Sequence, residues 1–167
     1  MELTQELVKR SFDYKEDGNL IWIKKEHNSP IKIGDIAGSV NDIGYVIIGF
    51  NGKNHKAHRL IFLWHKGYLP AFIDHKETLS NRIQNLRECT RQENGRNRKS
   101  HKGSSSIYKG VSLNKKSNKW HAQTQVNNKR IYLGRYDDEK QAAIAYNNYA
   151  KENFGEFARL NIIEEDT

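Results

Sequence analysis

Two rhythms of apolar and polar positions divide this chain. Between Lys119 and Val126, Trp120, Ala122, Thr124 and Val126 alternate with Lys119, His121, Gln123 and Gln125. A period of two sends alternate side chains to opposite faces, so the run predicts a half-buried β-strand. "IYKGVSLNKK" precedes it across a turn at "KSN", and "KRIYLGRY" follows it across Asn127-Asn128. Asparagine tolerates positive φ better than most residues, so that pair suits a two-residue primed turn. The three runs predict an antiparallel meander. From Asp138 the rhythm becomes helical, with Ala142, Ala145, Tyr146, Tyr149 and Ala150 on one stripe. Asp138 and Gln141 have capping-box spacing, and Gly155 suits the C-terminal stop. The helix is expected to pack on Trp120, Ala122, Ile131 and Leu133. Lys119, His121, Gln123, Gln125, Arg130 and Tyr132 are then left on the opposite face.

The first ninety residues read as a separate, strand-rich unit. Thr4 is a plausible cap for a short helix in "LTQELVKRSFDY". "GNLIWIKK" and "GYVIIGFNGKNHKAH" read as strands, and Asn51-Gly52 is a hairpin signal. "HRLIFLWHKG" reads as a helix with Leu60, Ile61, Leu63 and Trp64 inside and Gly67 closing it. Its His58 and His65 fit a core histidine and a surface one as well as they fit catalysis. Ile73-Asp74-His75 predicts a strand, Asn85-Leu86-Arg87-Glu88 its antiparallel partner. Thr90 with Glu93 predicts a capping box for a helix carrying Asn94.

Charge adds a partner to this picture. The net charge is +8 and the pI near 9.5. Its distribution matters more: residues 91–135 carry twelve Lys/Arg against the single Glu93. A basic concentration of this kind is the footprint of a phosphate backbone. "NGRNRKSHKGSSS" lacks aliphatic residues, and 97–106 reads as a basic linker. With 36% hydrophobic residues the chain is too apolar to be disordered. Cys89 is the only cysteine, so neither a disulfide framework nor a Cys-based zinc site is expected. No leader or membrane-spanning run is evident, and the cytoplasm is the expected compartment.

"FIDHKETLSNRIQNLRECTRQEN" (72–94) carries the candidate chemistry. A carboxylate and a helix-borne amide can hold a hard cation by oxygen. A neighbouring histidine can take a proton from an attacking water, while a second amide orients it or pins the loop. Polar turn residues with no catalytic role remain the alternative on these residues alone.

"AHRLIFLWHKGYLPAFIDHKETLSNRIQNLRECTRQENGRN" resembles the HNH endonuclease family, of the type found in phage and mobile-intron homing enzymes. The segments upstream resemble the family's N-terminal extension. "YKGV…KWHAQTQVNNKRIYLGRYDDEKQAAIAYNNYAKENFGEFARLN" resembles the Apetala-two/ethylene-response-factor DNA-binding domain over about 55 residues. These resemblances imply an α+β protein in which a strand-rich HNH module with a ββα-metal core precedes a three-stranded antiparallel sheet packed on one C-terminal helix. The implied segments are an HNH module at 1–96 with its core at about 70–96, a linker at 97–106 and the DNA-binding domain at 107–163. By position, the first resemblance implies His75 as general base, Asp74 and Asn94 as metal ligands, and Asn85 as the loop-structuring amide. The second implies DNA contacts at Lys109, Ser112, Asn114, Gln123, Gln125, Arg130 and Tyr132, made by the sheet in the major groove.

The implied activity is hydrolysis of double-stranded DNA with Mg²⁺, Mn²⁺ or another divalent cation, with no zinc, no membrane and no protein partner indicated. One departure stands out. Relatives usually read "DHxDGNxxNNRIxNLR", whereas this chain is two residues shorter, has Glu77 in place of the Asp, and lacks the Gly-Asn pair. A loop without that glycine must close differently. The alternatives are a catalytically decayed HNH protein that binds DNA or regulates transcription, and an RNA binder that stacks bases on Trp120 and Tyr132.

Overall fold

The computed structural model describes residues 2–24, 30–97 and 103–164, so 98–102, half of the linker expected at 97–106, lies outside the described residues. The chain folds as two compact units, Met1–Cys89 and Thr90–Thr167. Both are mixed α and β with small antiparallel sheets, the fold class that the sequence implies. Among the described residues no helix is long and apolar enough to cross a membrane.

The first unit opens with helix α1 (Gln5–Ser11), whose cap Thr4 accepts the Leu7 N–H at 3.2 Å. A hairpin of β1 (Phe12–Tyr14) and β2 (Leu20–Trp22) follows, then a three-stranded sheet of β3 (Ser39–Val40), β4 (Val46–Phe50) and β5 (Lys53–Lys56). Asn51 and Gly52 both take positive φ between β4 and β5, as the hairpin signal requires. Helix α2 (Ala57–Lys66) ends on Gly67 at φ 80°. It buries Leu60, Ile61, Phe62 and Leu63, while Trp64 is only half-buried. These side chains join Val8, Phe12, Leu20, Trp22, Ile48 and Phe50 in one core, with the Phe12 ring 4.3 Å from Trp22 and 4.9 Å from Phe50. Each such burial stabilises by roughly 1.5–3 kcal/mol. On that core sits the two-stranded ribbon of β6 (Phe72–His75) and β7 (Leu86–Cys89).

The second unit begins with helix α3 (Arg91–Arg96), closed at its start by the Thr90–Glu93 capping box. Strands β8 (Val111–Asn114), β9 (Lys119–Val126) and β10 (Lys129–Tyr136) form the expected meander in the order β10-β9-β8. Asn127 and Asn128 take φ 50° and 62° at the β9–β10 turn. Helix α4 (Glu139–Phe154) starts where Asp138 accepts the Gln141 N–H at 2.8 Å and ends at Gly155. Its buried residues are Ala142, Ala143, Tyr146, Ala150 and Phe154, so the stripe runs slightly differently from the one read in the sequence. Ala143 and Phe154 join it, and Tyr149 sits at its margin. Gly110 permits the close approach of sheet and helix: a Cβ there would lie 2.1 Å from the Tyr146 ring.

Candidate functional site

Asp74 and His75 end β6, directly opposite Arg87 and Leu86 of β7. Adjacent positions on a strand point to opposite faces, yet both are buried, at 6% and 8% exposure. Arg87 donates from Nε (3.1 Å) and from a terminal amine (2.8 Å) to the same oxygen, Oδ2 of Asp74. Its partner position was legible in principle, since a basic residue stands directly across the ribbon from the carboxylate. His75 lies on the other side, among aromatic rings. The His58 ring meets it edge-on at 4.8 Å, and Tyr45 lies 6.0 Å away. Burial pushes His58 down to about 3, with nearby His75, Lys56 and Arg59 adding to the effect. His58 is therefore a neutral, buried neighbour of the candidate base. Burial also holds His75 below the ordinary histidine value, against an opposing pull from Asn81 and Asp74 and with a further push from Lys56.

The contact with Asn81 bears on the tautomer. His75 Nε2 lies 3.2 Å from the Asn81 side-chain carbonyl oxygen, which can only accept, so the contact suits the tautomer that carries its proton on Nε2. Asn81 was not singled out in the sequence. Its signal was its place in the loop joining the two strands, six residues after His75.

The loop closes without the missing glycine. None of residues 76–85 takes positive φ. Instead the Asn85 side chain organises the turn from within. Its oxygen accepts the Glu77 N–H at 3.2 Å, and its amide donates to the carbonyls of Thr78 and Ser80, both at 2.7 Å. The Lys76 N–H closes on the Asn85 carbonyl at 2.9 Å. From outside, the Tyr14 hydroxyl accepts the Ile83 N–H at 3.1 Å, and Gly18 packs so tightly that a Cβ would lie 2.7 Å from the Arg82 nitrogen. Asn85, expected to structure this loop, makes these bonds from a 3₁₀ turn (Ile83–Asn85) rather than from the strand itself.

Asn94 lies on α3 in the second unit, half-buried, with its N–H on the Thr90 carbonyl at 3.0 Å. Among the described residues no three His, Cys, Asp or Glu side chains gather as a metal cluster. Asp74 offers a carboxylate that Arg87 also binds. That chemistry fits a hard cation such as Mg²⁺, which keeps several waters and takes one or two carboxylates plus substrate phosphate.

On the second unit the ladder settles which side chains share a face. Ser112 pairs with His121, Gln123 with Tyr132, and Gln125 with Arg130, and a bulge between Tyr132 and Gly134 brings Arg135 opposite His121. These side chains, with Asn114 and Lys119, lie on the face away from Ala122, which is fully buried against α4. The His121 and Tyr132 rings meet edge-on at 5.5 Å. Asn114 also serves the turn, accepting the Lys116 and Ser117 N–H groups. Lys109 is aimed elsewhere. Its ammonium donates to the carbonyls of Gly95 and Arg96, at the end of α3. A groove of about 1130 Å³ runs along this unit, lined by Arg91, Arg96, Lys109 and Arg130 together with Gln123, Gln125, Asn127 and Asn128. Among the described residues no acidic one lines it. Arg91 and Arg96 are contributions that sequence reading missed, because nothing local ties α3 to this sheet.

A two-stranded ribbon presenting Asp-His, followed by a capped helix and then a sheet with a basic amide-rich face, defines a nucleic-acid-acting protein of two parts. Residues 55–96 match the HNH endonuclease family and residues 106–156 match the AP2 domain family, in that order. The chain thus combines an HNH endonuclease domain with a C-terminal AP2 DNA-binding domain. No curated protein matches it.

Proposed function

We propose that the protein is a divalent-cation-dependent endonuclease of the homing or phage type that nicks double-stranded DNA, held on its duplex by the AP2 sheet. The observation that supports it best is the pairing of a neutral, oriented His75 with the adjacent Asp74 carboxylate. His75 acts as general base. With Nε2–H fixed on Asn81, Nδ1 takes a proton from the water that attacks phosphorus. The new P–O bond forms as the bond to the 3′ oxygen breaks, that oxygen takes up a proton from solvent, and His75 returns its own proton to solvent. Asp74, with Asn94, would hold Mg²⁺, Mn²⁺ or a similar ion, which when bound supplies Lewis-acid stabilisation of the departing oxygen. Asn85 keeps the loop closed so that Asn81 stays on His75.

On the AP2 side, Gln123, Gln125, Arg130 and Tyr132 face the major groove, with Ser112 and Asn114 beside them, since guanidinium and amide groups match guanine and adenine edges. The proposed setting is the cytoplasm of a bacterial or phage-infected cell.

The test is a nicking assay with the purified protein, Mg²⁺ and supercoiled plasmid. Wild type is expected to yield nicked circles and His75→Ala to nick roughly 10²–10⁴-fold more slowly. Cutting by His75→Ala at the wild-type rate overturns the mechanism.

One observation favours a second reading. Arg87 donates twice to Oδ2 of Asp74, the carboxylate that a cation would need, as in a nuclease unit kept for structure while the chain binds DNA. Metal-independent binding of duplex DNA with no cutting by wild type would establish that reading instead.

A further inference from the structure

α3 is too short to stand alone. Helix nucleation fixes several residues for the first hydrogen bond, so isolated helices well beyond six residues are already marginal in water. α3 has six residues, and Gly95 in its last turn weakens it further. The Thr90–Glu93 capping box satisfies its N-terminal end. What holds its other end comes from the AP2 side of the chain.

Three contacts do this. The Lys109 ammonium donates to the Gly95 carbonyl at 3.4 Å and to the Arg96 carbonyl, both at the end of the helix, the first of which also accepts the Asn97 N–H of the C-cap. The Arg96 guanidinium stacks 4.4 Å from the centre of the Phe154 ring at the end of α4. Arg159 reaches the Asn97 carbonyl at 3.4 Å. Lys109 is itself fixed. Asn161 accepts its N–H at 2.7 Å and donates to its carbonyl at 3.1 Å, and Asn161 is bound in turn by Asn147 of α4 through two hydrogen bonds. A continuous polar path therefore runs from α4 through Asn161 and Lys109 to the last turn of α3.

We infer that Lys109 is a positioning residue, which holds α3 and with it Asn94, so that the AP2 domain is part of the scaffold of the nuclease's final helix and not only its DNA tether. Asn94 directly precedes the Gly95 whose carbonyl Lys109 binds. The catalytic arm of this inference rests on the nuclease reading above. It also assigns Lys109 a role other than the base-groove contact expected from the sequence, and the two roles separate experimentally.

The full chain carrying Lys109→Met is compared with wild type and with Lys109→Arg, which keeps a cation able to reach carbonyls. Plasmid nicking at saturating DNA gives kcat, titration of a labelled duplex at several salt concentrations gives affinity, and hydrogen exchange without DNA reports the amides of residues 94–97. Positioning predicts faster exchange at 94–97 in Lys109→Met and a kcat lower by roughly tenfold or more, since misplacement of about 1 Å can cost about a hundredfold. Duplex affinity is expected to stay within about twofold, and Lys109→Arg to recover most of the rate. An unchanged kcat, with affinity weakened and the salt slope reduced by about one, makes Lys109 a phosphate contact and overturns the inference. Wild-type protein that never nicks refutes the nuclease reading alone. The exchange arm then decides by itself, and unchanged protection at 94–97 overturns the contact with α3.

Discussion

The β6–β7 loop and the outer face of β8–β10 are both polar surfaces, and they are built in opposite ways. In the loop the polar groups around the candidate site are bound within the fold. Asn85 binds three backbone groups, Asn81 binds His75, and Arg87 binds Asp74. On the sheet, Gln125, Arg130 and Tyr132 are exposed, and among the described residues no side-chain hydrogen bond holds Gln123, Gln125 or Arg130. The first arrangement fixes the orientation of a reacting group before substrate arrives. The second leaves donors and acceptors for a partner of variable sequence to satisfy. Chemistry asks for internal satisfaction, reading for its absence.

The contrast can be broken most severely at its reactive end. His75→Ala should reduce nicking by roughly 10²–10⁴-fold, the usual contribution of a general base, with duplex affinity unchanged. Parallel kinetic and binding titrations check both halves. Next comes the ion pair beneath it. Arg87→Met leaves a buried Asp74 carboxylate without its guanidinium, and should destabilise the first unit by about 3–5 kcal/mol in urea unfolding. Asn85→Ala removes the bonds that close the loop and should cost about 1–3 kcal/mol, with a fall in kcat because Asn81 then loses its anchorage.

The same buried histidines make the first unit sensitive to acid. His58 has an ordinary value of 6.5 and a folded value of about 3, so the unfolded chain binds the proton more readily across that interval. Its contribution to stability is fully present above about pH 6.5 and is lost progressively as pH falls toward 3. Thermal midpoints measured between pH 7 and pH 4 should fall, and His58→Phe should flatten the dependence. In nicking, the lowered value of His75 places the acid limb of the rate profile below the ordinary histidine value.

The smallest effect sharpens the other side of the comparison. Arg130→Ala should weaken duplex binding by about 1–3 kcal/mol and relax preference at one base pair if it reads a guanine. It should leave unfolding of the protein unchanged, because no internal bond depends on that side chain. A loss of stability at Arg130 would show that the sheet face is built like the loop after all.

Much of the architecture was legible along the chain. The alternation at 119–126, the Asn127-Asn128 turn, the caps Thr4, Thr90 and Asp138, and the stop at Gly67 all reappear in the structure. Each depends on groups within a few residues of one another, so local chemistry was enough. The bonds that define the candidate site reach further. Arg87 meets Asp74 only because β6 and β7 pair in one register, and a slip of a single residue would turn it to the other face. Asn81 reaches His75 only because Asn85 folds a short loop back on itself, and His58 joins them from a separate helix. Lys109, which its motif assigns to DNA, is claimed by carbonyls fourteen and thirteen positions earlier in the chain. Side-chain types and spacings determined which chemistry this protein could carry. Burial and strand register decided which partner each polar group took, because those choices depend on neighbours that only the folded chain brings together.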